Sequence, residues 1–288
     1  MKKLHRIENK FSVMRRRRQP STSSSQASSN RELASIEDLI CGVPILPSAY
    51  VDSDHIGLVN RLRSDLAELH LQIQAAVKDR SDLPSSAIFP FLARKFLELS
   101  LTSVLARIDP IRVIAARKHQ KDSSFEVGRQ NASSLAWTGD IFPKDKASSN
   151  GYWTSLTLQK GIERSMLGWH YSEVAISPGL SWLCDSDSTN STWIRLLSSQ
   201  DDPIHWLKGM LAQQYSRLSK GVHAEYLLDD RSVFDHGSVL QHVQDVYMLV
   251  ILLATSTHIS SLFSRSLPIS SALKTLVNIE QQILNIGK

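Results

Sequence analysis

Cysteine is nearly missing from this chain, which has two in 288 residues, Cys41 and Cys184. They lie far apart and neither belongs to a CxxC pair. A disulfide framework is therefore excluded and a thiolate zinc site is not expected. Such sparse usage suits a reducing compartment, and the cytoplasm is the expected location. Glycine and proline are scarce as well, twelve and ten residues, too few for a β-sandwich full of turns. The longest apolar run, 246–254, is followed by Thr-Ser-Thr-His and is too short to span a bilayer, so no membrane partner is expected. The N-terminus has no apolar stretch with a small-residue cleavage site, so no secretory signal is expected. GxxxxGK[ST], GxGxxG and GxSxG are all absent, which leaves nucleotide hydrolysis and serine-hydrolase chemistry without support. No cofactor and no metal are expected.

Positive charge is also scarce over most of the chain, despite a formal net charge of +5. Residues 1–20 hold Lys2, Lys3, Arg6, Lys10, Arg15, Arg16, Arg17 and Arg18 against Glu8 alone, a net +7. Subtracting that from +5 leaves −2 for the rest. The high isoelectric point thus belongs to an N-terminal arm, and a uniformly basic nucleic-acid-binding fold is not indicated. Residues 1–32, with a Ser-rich stretch after the arginines, bury too little apolar surface to offset their ordering entropy. They are expected to be disordered. Arg15 to Arg18 are candidate contacts for nucleic-acid phosphate. A basic, acid-poor arm of this kind is also the composition of an organelle transit peptide.

What is present is helical periodicity. In 54–79, Ile56, Val59, Leu62, Leu66, Leu69, Ile73 and Val77 fall on one stripe. Further helices are expected over 90–108, a short piece to about 119, 201–228, 238–263 and 268–285, with a short helix inside 33–50. Residues 120–200 read differently: four of the six tryptophans lie at 153, 169, 182 and 193, with Trp137 just before them. Loops, short helices at 154–167 and 190–197, and room for a small strand pair are expected there. The expected architecture is mainly α: a helical bundle of 33–119 and 201–288, an irregular Trp-rich insert over 120–200, and the basic arm. Leu62, Leu69, Phe96, Leu99, Val104, Leu249 and Leu252 are its expected buried residues.

Several short patterns carry little chemistry. Asp185-Ser-Asp-Ser-Thr matches the letters of a phosphoaspartyl motif, but no βαβ alternation surrounds it, and it reads as a solvated loop. As a calcium loop it lacks the sixth-position Gly and twelfth-position Glu. His223-Ala-Glu has the letters of a deaminase HxE with no PCxxC after it. His236 and His242 read as surface or packing residues, and the tryptophans as groups burying the insert.

The most informative segment runs from Tyr215: Tyr-Ser-Arg-Leu-Ser-Lys-Gly-Val-His-Ala-Glu. Arg217 and His223, separated by five residues, resemble the signature of HEPN domains, an Arg followed by a His on a late helix of a small bundle. Phe91-Leu-Ala-Arg-Lys-Phe-Leu-Glu-Leu-Ser has the flavour of that class upstream. The resemblance covers about 54–118 and 201–288. It implies a component of a multi-protein or RNA-directed system, for instance in bacterial defence. Such a component would contact RNA or a nucleoprotein and associate with a protein partner or a second copy. As an alternative it implies a metal-independent ribonuclease with Arg217 and His223 catalytic in a shared dimer cleft. Imidazole titrates near neutrality and guanidinium matches phosphate oxygens, as that chemistry requires. Residues six apart on a straight helix stand about 120° apart around the axis, however. Tyr215, Ser219 and His223 share a face instead, a stripe associated with non-catalytic HEPN-like relatives, which makes Tyr215 and Ser219 candidate binding residues. A helical scaffold unrelated to nucleic acid is the third reading.

Overall fold

The computed structural model describes residues 33–45, 53–78, 85–123, 125–126, 135–143, 165–186, 190–222 and 236–285. These form helices: α1 (Ile36–Cys41), α2 (Ser53–Lys78), α3 (Ser85–Ile108), α4 (Pro110–Gln120), α6 (Thr192–Ser198), α7 (Pro203–Val222), α8 (His236–Ile259) and α9 (Ile269–Leu284). Helix α5 runs through three consecutive pieces, Trp169–Tyr171, Ser172–Ile176 wound as π-helix, and Ser177–Asp185. Among the described residues there is no strand; Thr138 and Phe142 form an isolated bridge across a turn. The chain is mainly α. The strand pair allowed for in 120–200 is not found among the described residues, and the arm, the 154–164 part of the insert and the expected 223–228 extension of α7 lie outside them.

Local chemistry sets the helix starts. Ser35 Oγ accepts from Asp38 N while the Asp38 carboxylate accepts from Ser35 N, a reciprocal cap on α1. Asp109 accepts from Arg112 N, with Pro110 following at the first helical position of α4. Helix α3 begins at Ser85, five residues before the Pro90 start expected from sequence. Pro90 sits within the early turns, and Phe89, at 2 % exposure, anchors the preceding turn to the core. Hydrophobic burial there outweighs one lost backbone hydrogen bond.

Helix α3 is central, packing on α1, α2, α4, α7 and α8. Helix α8 is its counterpart, with every residue from 246 to 258 buried. Between them Phe96 stacks on Tyr247, ring centroids 4.5 Å apart. The Tyr247 hydroxyl is satisfied by His70 Nδ1 at 2.6 Å, so a polar tip in the core keeps its partner. Leu62, Leu69, Phe96, Val104, Leu249 and Leu252 are buried as expected, whereas Leu99 is only half-buried and lines a cleft.

Helix α5 corrects the expectation of loops over that part of the insert. Its inward face is Ser172, Ala175, Ile176, Gly179, Leu180 and Leu183. The helical spacing is present but is written largely in small residues. Gly179 is required: a Cβ there would stand 2.2 Å from the Ser256 carbonyl of α8. The tryptophans do not behave alike. Trp193 is buried, while Trp169 and Trp182 are exposed.

No described helix is long and apolar enough to cross a membrane. Residues Leu33–Lys288 form one compact unit.

Candidate functional site

Helix α7 presents alternating environments. Gln214 and Leu218 are buried, Tyr215 and Ser219 are half-buried, and Arg217 is exposed. The Ser219 hydroxyl donates to the Tyr215 carbonyl at 2.7 Å, one turn back on its own helix. That donor is therefore spent locally, as hydroxyls inside helices commonly are. Tyr215 and Arg217, two residues apart, leave the helix in different directions. His223 and Arg15 to Arg18 lie outside the described residues, so the Arg217–His223 pair is not among the juxtapositions described.

Tyr215 faces a cleft of about 440 Å³ between α2, α3, α7 and the 135–143 segment. The indole of Trp137 lies flat on the Tyr215 ring, centroids 3.7 Å apart and planes 6° apart. Phe142 leans on the same indole at 5.0 Å. Arg94 of α3 stands 4.8 Å from the Tyr215 ring centroid and donates from Nη2 to the phenolic oxygen at 2.9 Å. Its Nε donates to Glu98 at 3.0 Å. The guanidinium is thus held in one plane by two partners and an aromatic face. Burial raises the Tyr215 pKa, with the Glu98 charge adding to it and the Arg94 charge opposing. The phenol therefore stays protonated.

The rest of the cleft mixes both charge signs with an apolar floor. Lys95 stands exposed at the rim, Leu99, Leu135 and Ile141 supply apolar surface, and Asp65 faces in from α2. Asp65 is already bonded to Arg61 Nε at 2.8 Å. The 135–143 segment is fixed from below. Met166 N and Leu167 N donate to the carbonyls of Asp140 and Ile141, each at 2.8 Å. Gly139, at φ 120°, makes the turn that only glycine adopts freely.

A second polar cluster ties α7 to α8. Gln214 Nε2 donates to Asp245 Oδ2 at 2.8 Å, and Gln241 Nε2 donates to Oδ1 at 2.8 Å. With its amide nitrogen facing a carboxylate, Gln214 turns its oxygen toward His242 Nδ1, 3.1 Å away. Nδ1 must then carry the proton, which leaves Nε2 as the acceptor of the neutral ring. Burial, and then the Arg217 charge, lower the His242 pKa, with Asp245 opposing.

Tyr215, a candidate binding residue from the sequence, lines this candidate cleft, whereas Arg94, Trp137 and His242 carried no such expectation. The Arg94–Glu98 spacing, one helical turn, is the signal that was available for the first. Trp137 and His242 join across long sequence separations that no local pattern encodes. Among the described residues there is no cluster of His, Cys, Asp or Glu able to hold a metal ion. No protein-family model, no curated protein and no solved structure matches this chain.

Proposed function

We propose that this chain is an RNA-contacting interaction module of HEPN-like character, a component of a multi-protein or RNA-directed system such as a bacterial defence assembly. The observation that supports it is the cleft at Tyr215. There a stacked Trp–Tyr pair adjoins an oriented guanidinium and an exposed lysine. Single-stranded RNA is bound by that combination: bases meet aromatic faces and phosphates meet Arg and Lys. The basic arm supplies a second, sequence-independent phosphate contact through Arg15 to Arg18.

The test is fluorescence anisotropy of the full chain with a single-stranded RNA at several salt concentrations. Lys95→Glu is expected to weaken binding and reduce the salt slope by about one ion. Reversing the four arm charges is expected to flatten the slope further. Unchanged affinity in both variants would exclude RNA contact at the cleft and at the arm.

A second reading, metal-independent RNA cleavage by Arg217 and His223, rests on their spacing in the sequence; the Arg217 charge also lowers the His242 pKa, after burial. In that reading Arg217 steadies phosphate charge and His223, or alternatively His242 of α8, moves the proton. Purified chain that cleaves RNA in excess chelator, and loses cleavage in His223→Ala or His242→Ala at unchanged melting temperature, would establish it. Cleavage that persists in both variants would exclude it.

A further inference from the structure

Away from the cleft, the segment Cys41–Gly42 is ringed by three arginines. Arg107 of α3 is 1 % exposed. Its Nε donates to the Ser264 carbonyl at 3.0 Å and its Nη1 to Thr257 Oγ1. Nη2 faces the Thr257 carbonyl, Ser266 Oγ and His258 Nδ1, each at 3.3 Å. Every partner is neutral. Arg265 sits on the hook between α8 and α9 at φ 59°, the one non-glycine residue at positive φ among those described. Its Nε and Nη1 are buried and meet no acceptor among the described residues. Gly42 packs directly on this pair: a Cβ there would stand 2.9 Å from Arg265 Cβ and 3.2 Å from Arg107 Nε. Arg63 completes the ring by donating to the Gly42 carbonyl and to Asp38, both at 2.7 Å.

The charge does not balance. Asp38 is bonded to Arg63, and among the described residues no carboxylate acts on Arg107 or Arg265. Burial is the first cause that lowers Arg107 to about 9 and Arg265 to about 10, so both remain cationic at neutral pH. The Arg265 charge lowers Arg107 further and that of Arg63 lowers Arg265, with Cys41 opposing in both. The Cys41 thiol lies among them but is held protonated by burial. A buried charge with orphaned donors is strongly unfavourable unless something accepts those bonds. In folded proteins the usual remedy is a bound water or ion, and water carries no compensating charge. Arg265 as a whole is only half-buried, and exposed Ser264 and Ser266 flank it, so solvent reaches the edge of the site.

We infer that the Arg107–Arg265 hook is a binding site for one compact inorganic anion, of the size of chloride or a single phosphate. The anion accepts from the orphaned Arg265 donors and offsets the guanidinium charges. It thereby fastens the α8–α9 hook to Gly42 and the end of α1.

The test is thermal unfolding of the full chain at constant ionic strength. Gluconate, too bulky for the site, is replaced stepwise by chloride in one series and by phosphate in another. The melting temperature is expected to rise saturably in at least one series, by about 3–5 °C at ten times Kd. The series that saturates at lower concentration identifies the anion. Arg265→Gln is expected to abolish the rise while matching or exceeding the wild-type melting temperature in gluconate, because an uncompensated charge has been removed. Arg61→Gln, at an exposed arginine on α2, is expected to retain the rise. No rise in either series, or an equal rise in Arg265→Gln, would overturn the site. Should Arg265→Gln not fold, chloride-35 line broadening by the wild-type chain, displaced by phosphate, provides the same decision: no broadening and no melting shift overturns it.

Discussion

Trp137 and Tyr215 lie face to face, 3.7 Å between ring centroids and 6° between planes, joining the 135–143 segment to the middle of α7. The contact is both structural and functional in the proposed reading, and two substitutions separate the roles. Tyr215→Phe keeps the stack and loses the hydroxyl, with its bonds to Arg94 Nη2 and Glu98. It is expected to cost about 1 kcal/mol in urea unfolding. Tyr215→Ala removes the stack and the cation–π contact, with an expected cost of about 2–4 kcal/mol. RNA affinity, measured where each variant is fully folded, is expected to fall several-fold in Tyr215→Ala and little in Tyr215→Phe. Equal losses would place the hydroxyl, rather than the ring, in contact with RNA.

Two glycines forecast opposite outcomes for one chemical change. Gly179 on α5 has the Ser256 carbonyl 2.2 Å from where a Cβ would stand, and that carbonyl belongs to the packed backbone of α8. Gly179→Ala must push the helices apart, and a loss of about 1–3 kcal/mol is expected. Gly209 on α7 has nothing within 4 Å of the same position. Gly209→Ala is expected to gain about 0.5–1 kcal/mol from helix propensity. Denaturant midpoints of the two variants measured side by side check both signs.

Much of this was legible in the residues. Long stripes such as Leu62–Leu66–Leu69–Ile73 on α2 are dense in large apolar side chains, and the helix follows from their spacing alone. Helix α5 is hidden from a periodicity argument because its buried face includes Ser172, Ala175 and Gly179, small residues that look polar or neutral, and Gly179 packs against the α8 backbone. The apolar pattern of α8 continues to Phe263, four residues beyond the end of the helix at Ile259. Phe263 is indeed buried, but it reaches the core from a hook that turns at Arg265, stacking 5.6 Å from the Arg107 guanidinium. The cleft itself unites Asp65, Arg94, Trp137 and Tyr215 from four separate segments. No spacing rule joins such groups before the tertiary contacts are known.

Glu280 of α9 illustrates a long-range cap with a measurable cost. It is 4 % exposed, and its Oε1 accepts from Thr192 N at 2.7 Å, Trp193 N at 3.1 Å and the Thr192 hydroxyl. A carboxylate from another helix therefore satisfies the donors at the start of α6 and complements its positive end. Glu280→Ala is expected to cost about 2–4 kcal/mol, since it leaves these buried amides without an acceptor and opens a void. Glu280→Gln, which keeps the acceptor oxygen and loses the charge, is expected to cost about half as much. Hydrogen exchange at Thr192 and Trp193 checks the mechanism: their amides should be protected in wild type and exchange faster in Glu280→Ala, with α2 little affected.

His258 sets an acid limit on stability. Its Nε2 donates to the Leu39 carbonyl at 2.7 Å, while Nδ1 accepts from Leu267 N at 2.9 Å and faces Arg107 Nη2. Two acceptor contacts at Nδ1 leave no room for a second proton. Burial first, and then the Arg107 charge, lower the pKa from 6.5 to about 3, with the Leu39 carbonyl and Asp38 opposing. The unfolded chain therefore takes up a proton as pH falls through 6.5, and the folded chain does not until about 3. The stability supplied by the neutral ring is complete above 6.5 and is lost progressively as pH falls through that window. The expected slope is about 1.4 kcal/mol per pH unit for one proton. His70 and His242, both also lowered chiefly by burial, add to the slope near its upper end. His258→Gln can keep a donor toward Leu39 but cannot titrate. It is expected to be less stable than wild type at pH 8 and to lose less stability than wild type between pH 6 and pH 4, by about one proton's worth. Parallel stability curves for the two proteins across that interval would show that His258 is not the group that titrates.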